Sequence, residues 1–325
     1  MDARRVTRGG TESRQVGPFE RSNSMQFLRL VLTGVLLVTL FTAFSAAAPD
    51  FSAWSPAVNL GAVDSVAFES GPTLSKDRRS LYFVSNRPGG LGLNDIWVSQ
   101  RGNVEAPWGQ PMNLGPAINS ALGEGAPALS RDGHLLFFAS NRPGGHGSLD
   151  IWVSYRANVH DDFGWQPAVN VGPGVNSPEV ETDPSFLEND DAGVRQLFFA
   201  RAPLNLIGDI FISDLLPDGT FGPSMLVAEL SSPDSEAGPS VRFDGLEVFF
   251  WSNRPGGVGQ ADLWAATRST VFDSWSAPTN LGPLVNSAAR EFDPDIASDR
   301  ETLYFRTGPS IGGIDLYVTT RTKHD

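Results

Sequence analysis

Five glutamates recur along the chain, each opening an E-x-x-P tetrapeptide: Glu69, Glu124, Glu181, Glu236 and Glu291, separated by 55, 57, 55 and 55 residues. A periodic carboxylate has two chemical uses. Each can pair with a nearby arginine in a charge-assisted hydrogen bond that serves the architecture. Alternatively, the five together can ring a pore and hold a cation or a cationic partner group, because like charges at close range need compensation. Arginines suited to the first use follow in Asn86-Arg87, Asn141-Arg142 and Asn253-Arg254. The third and fifth repeats lack that Asn-Arg pair in register, which leaves Glu181 and Glu291 least obviously paired. Repeated positions usually serve the architecture, so the structural use is favoured, with the five-glutamate ring as the candidate binding feature.

Other constellations carry less. Gly308-Pro-Ser310-Ile-Gly312 matches G-x-S-x-G but falls between two strands rather than at a strand-turn-helix elbow. His134, His146, His160 and His324 stand singly, without metal-ligand spacing. The Gly-Gly-x-Gly segments at 89–92, 144–147 and 256–259 lead into strands rather than helices, so they build no phosphate cradle. The Glu188-Asn-Asp-Asp191 run lacks the glycine and distal glutamate of a calcium loop. No catalytic residue, cofactor or metal site is expected.

The elements that must position the glutamates follow from two further markers. An Asp, an aliphatic and an aromatic recur as Asp95-Ile-Trp97, Asp150-Ile-Trp152, Asp209-Ile-Phe211, Asp262-Leu-Trp264 and Asp315-Leu-Tyr317. An aromatic recurs shortly before proline at Trp54, Trp108, Trp165, Phe221 and Trp275. Each unit of about 55 residues reads as four short strands, rich in β-branched and aromatic residues and punctuated by Gly and Pro. Strand A follows the glutamate, B is aromatic-rich, C follows the aspartate and D follows the aromatic-proline pair. Such units are propeller blades.

The chain begins with an orphan D segment at 54–61 and ends after an orphan C strand at 314–320. The predicted fold is therefore all-β: a five-bladed β-propeller of four-stranded antiparallel blades over 49–325, closed by the N-terminal strand completing the last blade. Strand A is innermost, so the glutamates are expected to ring the central channel. The starts of A and C and the end of B share one face, which should carry the glutamates, the Asn-Arg pairs and the aspartates. The aromatics Trp97, Trp152, Phe211, Trp264 and Tyr317 should be buried between blades.

The unit E-x-x-P…S-N-R-P-G-G…D-I-W resembles the TolB-like, WD40-like propeller repeat of exported bacterial proteins. The match is best over Ser85–Gly90, Ser140–Gly145 and Ser252–Gly257 and extends through residues 51–321. The repeats with Ala200-Arg-Ala-Pro203 and Arg306-Thr-Gly-Pro309 depart from it. The resemblance is specific for the repeat and unspecific for function. Relatives serve as envelope-complex subunits, as domains fused to peptidoglycan-binding modules and as propellers beside peptidase domains. With no such module in this sequence, neither peptidase nor peptidoglycan-anchoring activity carries over.

Residues 1–48 read as an N-terminal extension and secretory signal peptide, with Met25 as an alternative start. Arg29, the fifteen-residue apolar run Leu30 to Phe44 and Ala46-Ala47-Ala48 supply its three parts. The run is short of the roughly 20 residues that span a bilayer, so no membrane span should remain after cleavage. The expected location is periplasmic or extracellular. With no cysteine among 325 residues, the fold must hold without disulfides. The net charge of −13 opposes nucleic-acid binding. The leading expectation is a monomeric, non-enzymatic exported scaffold that engages a protein or cell-envelope partner through the B–C loop face. The alternatives are a glycoside hydrolase-like enzyme, which needs a pair of carboxylates in a cleft, and a lectin-like propeller.

Overall fold

The structure, a computed structural model, describes residues 51–203, 208–310 and 313–324. The expected leader at 1–48 lies outside them. So do Ile311 and Gly312 of the G-x-S-x-G match.

In chain order, β1 (Val58–Asn59) precedes the first full blade of β2 (Glu69–Leu74), β3 (Ser80–Ser85), β4 (Asp95–Gln100) and β5 (Met112–Asn113). Blade two is β6 (Glu124–Leu129), β7 (Leu135–Ser140), β8 (Asp150–Tyr155) and β9 (Val169–Asn170). Blade three is β10 (Val180–Asn189), β11 (Val194–Ala202), β12 (Asp209–Asp214) and β13 (Met225–Leu226). Blade four is β14 (Glu236–Val241), β15 (Glu247–Ser252), β16 (Asp262–Thr267) and β17 (Thr279–Asn280). Blade five is β18 (Arg290–Ile296), β19 (Thr302–Ser310) and β20 (Gly313–Thr320), with β1 as its outer strand. All five sheets are four-stranded and antiparallel, and Val58 lies opposite Val318.

Small residues let five inner strands converge: E-S-G-P-T-L in β2, E-G-A-P-A-L in β6 and E-A-G-P-S-V in β14. Every inner strand then breaks register against its neighbour at the same point. The shifts fall between Ser70 and Thr73, Gly125 and Ala128, Thr182 and Ser185, Ala237 and Ser240, and Phe292 and Asp295. The proline of E-x-x-P has no N–H for the ladder and therefore suits a bulge. The residue before it adopts a left-handed backbone: Gly71 at φ 54°, Ala126 at 47°, Asp183 at 52°, Gly238 at 63° and Asp293 at 52°. Glycine takes that conformation at no steric cost, and Asp tolerates it better than most residues.

Blades meet through interleaved apolar side chains. Tyr82, Ile96 and Val98 of blade one pack with Leu136, Phe138 and Trp152 of blade two. Of the strand-C aromatics, Trp97, Trp152 and Trp264 are buried, and Phe211 and Tyr317 are partly buried. The segment entering β1 is tied to the end of the chain, with the rings of Phe51 and Trp54 lying 3.8 and 4.6 Å from the Arg321 guanidinium.

Candidate functional site

The five glutamates are wholly or almost wholly buried, at 0–2% exposure, and none lines the described cavity of the channel. Glu69 shows their surroundings. Its carboxylate accepts hydrogen bonds from the Ser65 hydroxyl (2.6 Å) and amide (3.2 Å), the Ser85 hydroxyl (3.0 Å) and Arg87 (2.9 Å). Glu124 and Glu236 repeat the set with Arg142 and Arg254. Glu181, which has no Asn-Arg in register, receives Arg201 instead at 2.8 Å, from the strand position directly opposite it. Glu291 has no arginine among the described residues.

The strand-C aspartates cap the B–C loops. Asp95 accepts from the amides of Leu91 and Gly92 and from Asn113, and Asp150 and Asp262 do the same in their blades. These contacts build the blade. One acidic trio, Asp64, Glu69 and Asp315, converges to within 4.8 Å, but Glu69 and Asp64 there already accept protein hydrogen bonds.

The acids that face open space are others. A cavity of about 210 Å³ runs along the axis, walled by the inner strands of all five blades from the bulges to the A–B turns, where Lys76, Arg131, Phe243 and Ser298 stand. At the bulge level blades one, two and four present Gly71, Ala126 and Gly238, whereas blades three and five present Asp183 and Asp293. Asp295 lines the same cavity two residues further along.

Each aspartate is held by the following blade. Asp183 accepts from the Gly238 amide (3.2 Å) and from the Thr182 hydroxyl (3.1 Å). Asp293 accepts from the Gly71 amide (3.2 Å) and pairs with Arg306 (2.5 Å). Asp295 accepts from the Leu74 amide and the Thr73 hydroxyl, both at 3.2 Å. In blades three and four Ser185 and Ser240 accept the corresponding amides of Val241 and Ile296, so Asp295 also stands in for a latch serine. Burial pushes Asp183 up to about 7, with the Asp293 charge as the second cause, against the Thr182 and Gly238 hydrogen bonds and Arg306. Burial likewise pushes Asp295 up to about 7, despite its two hydrogen bonds. The channel therefore holds a carboxyl that keeps its proton near neutrality beside a carboxylate paired with an arginine. A proton donor and an anion in one narrow cavity are what acid-assisted cleavage of an acetal requires.

The sequence showed these residues. Among the tetrapeptides only E-T-D-P and E-F-D-P carry an acid in third place. That difference between repeats, rather than the glutamate they share, is the signal that marks the channel acids.

No family model matches the chain, and no curated protein matches it. Solved structures that share the fold include glycoside hydrolases. An endo-arabinase from Bacteroides thetaiotaomicron is 18% identical, with a TM-score of 0.55, covering 81% of this chain and 96% of its own. An α-L-arabinofuranosidase from Lactobacillus brevis is 15% identical, with a TM-score of 0.53, over 80% and 92%. An α-L-arabinofuranosidase from Podospora anserina, solved with cellotriose, is 10% identical, with a TM-score of 0.54, over 85% and 98%. At these identities the likeness carries the fold.

Three expectations are corrected. The chain's structural neighbours are five-bladed glycoside hydrolase propellers rather than TolB-like, WD40-like repeat proteins. The repeat motif misled because its Glu, Ser, Arg and Asp build blades and are not diagnostic of a family. Against the expectation of a non-enzymatic scaffold engaging a protein or envelope partner through the B–C loop face, and of no enzyme, these solved structures that share the fold are glycoside hydrolases, in line with the stated glycan-acting alternative. The physical reason is that the acids facing the channel at the bulge level, Asp183 and Asp293, are specific to blades three and five, whereas the repeated glutamates are buried within the blades.

Proposed function

We propose that this protein is a glycoside hydrolase-like enzyme whose reacting groups are Asp183 and Asp293 at the bulge level of the central channel. The observation that carries the proposal is the pairing itself: Asp183, raised to about 7, beside the Arg306-bound carboxylate of Asp293 in one cavity. Asp183 donates its proton to the leaving oxygen of a glycosidic bond. Asp293 supplies the anion, either activating water or stabilising the sugar cation. Asp295, also protonated near neutrality, is positioned to hydrogen-bond a substrate hydroxyl. The cavity mouth carries Lys76, Arg131 and Phe243, whose ring lies 4.8 and 4.7 Å from the guanidinium groups of Arg131 and Arg300. The shared fold makes arabinose-containing polysaccharides the first substrates to try.

The test is release of reducing sugar from a panel of plant and bacterial polysaccharides, alongside glycan-array binding. Hydrolysis that Asp183→Asn abolishes supports the enzyme. Binding without hydrolysis points to the lectin-like reading, and silence on both panels counts against any glycan function.

A further inference from the structure

In four blades one guanidinium fills the same socket beside the buried glutamate. Arg87 donates through Nε to the Ser85 hydroxyl (3.0 Å) and through Nη2 to Glu69 (2.9 Å) and the Val63 carbonyl (2.7 Å). Its cation lies 5.0 and 5.5 Å from the rings of Phe83 and Trp97. Arg142 and Arg254 repeat this arrangement against the carbonyls of Ile118 and Leu230. Blade three reaches the same result by another route. Arg201 donates to Glu181 (2.8 Å) and the Val175 carbonyl (2.6 Å) and lies over Phe199 and Phe211 at 5.4 and 4.7 Å.

Blade five keeps the socket and lacks the plug. Glu291 is at the glutamate position, Val285 at the carbonyl position, Thr307 at the serine position, and Phe305 and Tyr317 at the aromatic positions. Pro309 occupies the sequence position of the arginine, and Arg306 is engaged with Asp293. Glu291 is 0% exposed. One of its oxygens accepts from Ser287 (2.6 Å) and Thr307 (2.9 Å), and the other, Oε2, has no hydrogen-bond partner. An open cavity of about 350 Å³ adjoins it, lined among others by Val285, Ser287, Glu291, Thr307 and Tyr317. A buried carboxylate without a counter-ion is costly, and four sibling sockets show the cation that offsets the cost here.

We propose that the blade-five cavity is a binding site for a guanidinium cation, held by Glu291, the Val285 carbonyl and the Thr307 hydroxyl against the Tyr317 ring. The cation arrives either as a free alkylguanidinium or as the arginine side chain of a polypeptide. The proposal is independent of the channel chemistry.

The test uses the full chain in thermal unfolding and calorimetric titration. The probes are methylguanidinium and N-acetyl-arginine amide, each compared with tetramethylammonium at equal ionic strength. At about tenfold over Kd a specific ligand should raise the Tm by about 3 °C. Either guanidinium probe should do so and tetramethylammonium should not. A larger response to the capped arginine identifies a polypeptide source, and a larger response to methylguanidinium identifies a free cation. Thr307→Arg copies blade three's solution from the position opposite Glu291, so it should raise the Tm unaided and lose the response. Glu291→Gln should lose the response as well. The proposal is overturned if wild type responds equally to tetramethylammonium, if Thr307→Arg and Glu291→Gln both keep the full response, or if calcium shifts the Tm and neither guanidinium probe does.

Discussion

Two levels of the inner strands, only two residues apart, behave as different kinds of position. At the glutamate level all five blades carry the same acid, and four of them bury it with an arginine, a serine and a backbone carbonyl. At the bulge level the residues differ, as Gly71, Ala126, Asp183, Gly238 and Asp293, and all five line the open channel. Identity among blades marks what a blade needs in order to form. Difference among blades, at a position the backbone aims into a cavity, marks what the molecule needs in order to act. The acids that look most deliberate in the sequence are the structural ones.

The largest effect should separate paired from unpaired glutamates. Glu69→Gln removes one partner of a buried ion pair and should cost about 3 kcal/mol, read by denaturant unfolding. Glu291→Gln, with no arginine to strand, should cost less than about 1 kcal/mol. Equal costs would break the division between filled and empty sockets.

The next effect has the opposite sign. Asp183→Gly gives blade three the residue that blade four uses, relieving a left-handed φ of 52° and a desolvated carboxyl. It should raise stability by about 1 kcal/mol while abolishing activity. A fall in stability would assign Asp183 to the architecture. Proton linkage sharpens this further. The folded-state pKa of Asp183 lies above its ordinary 3.8, so the folded state binds the extra proton. Stability should therefore fall as pH rises from about 4 to about 7, and Asp183→Gly should flatten that slope. Activity should likewise decline above about pH 7, as the acid loses its proton.

The smallest effect lies at the seam where β1 joins β20. Asn119, Asn176 and Asn286 each accept from a strand-C amide and donate back to the carbonyl of that same residue. At the seam the residue is Asp64, which accepts from Leu316 but, when ionised, has nothing to donate. Burial raises it to about 6, so its contribution also falls as pH rises from about 4 to about 6. Asp64→Asn should add about 1 kcal/mol above pH 6 and little at pH 4, as measured by melting temperature across pH. A uniform gain at both pH values would contradict the missing donor as the cause.

The fold was legible because blade-building residues repeat: E-x-x-P, D-I-W and the aromatic-proline pair mark strands, turns and register together. The site was harder to read for a physical reason. Simple alternation along strand A puts the glutamate in the channel. The bulge instead gives the third residue a left-handed backbone and directs Asp183 and Asp293 there, and nothing in a period-two pattern announces the bulge except the proline that follows. Arg201 is hidden in the sequence for a similar reason: blade three supplies its guanidinium from the residue opposite Glu181 rather than from the loop beyond.

One measurement bears most directly on the assignment of chemistry to the blade-specific acids. Wild type, Asp183→Asn and Glu69→Gln are compared side by side for hydrolysis of an arabinose-containing polysaccharide, each normalised to its folded fraction by thermal unfolding. The expected result is that Asp183→Asn keeps its melting temperature and loses activity by about 10²- to 10⁴-fold, while Glu69→Gln melts lower and keeps the activity of its folded fraction. Wild-type hydrolysis by Asp183→Asn, or loss of activity in folded Glu69→Gln instead, would contradict it.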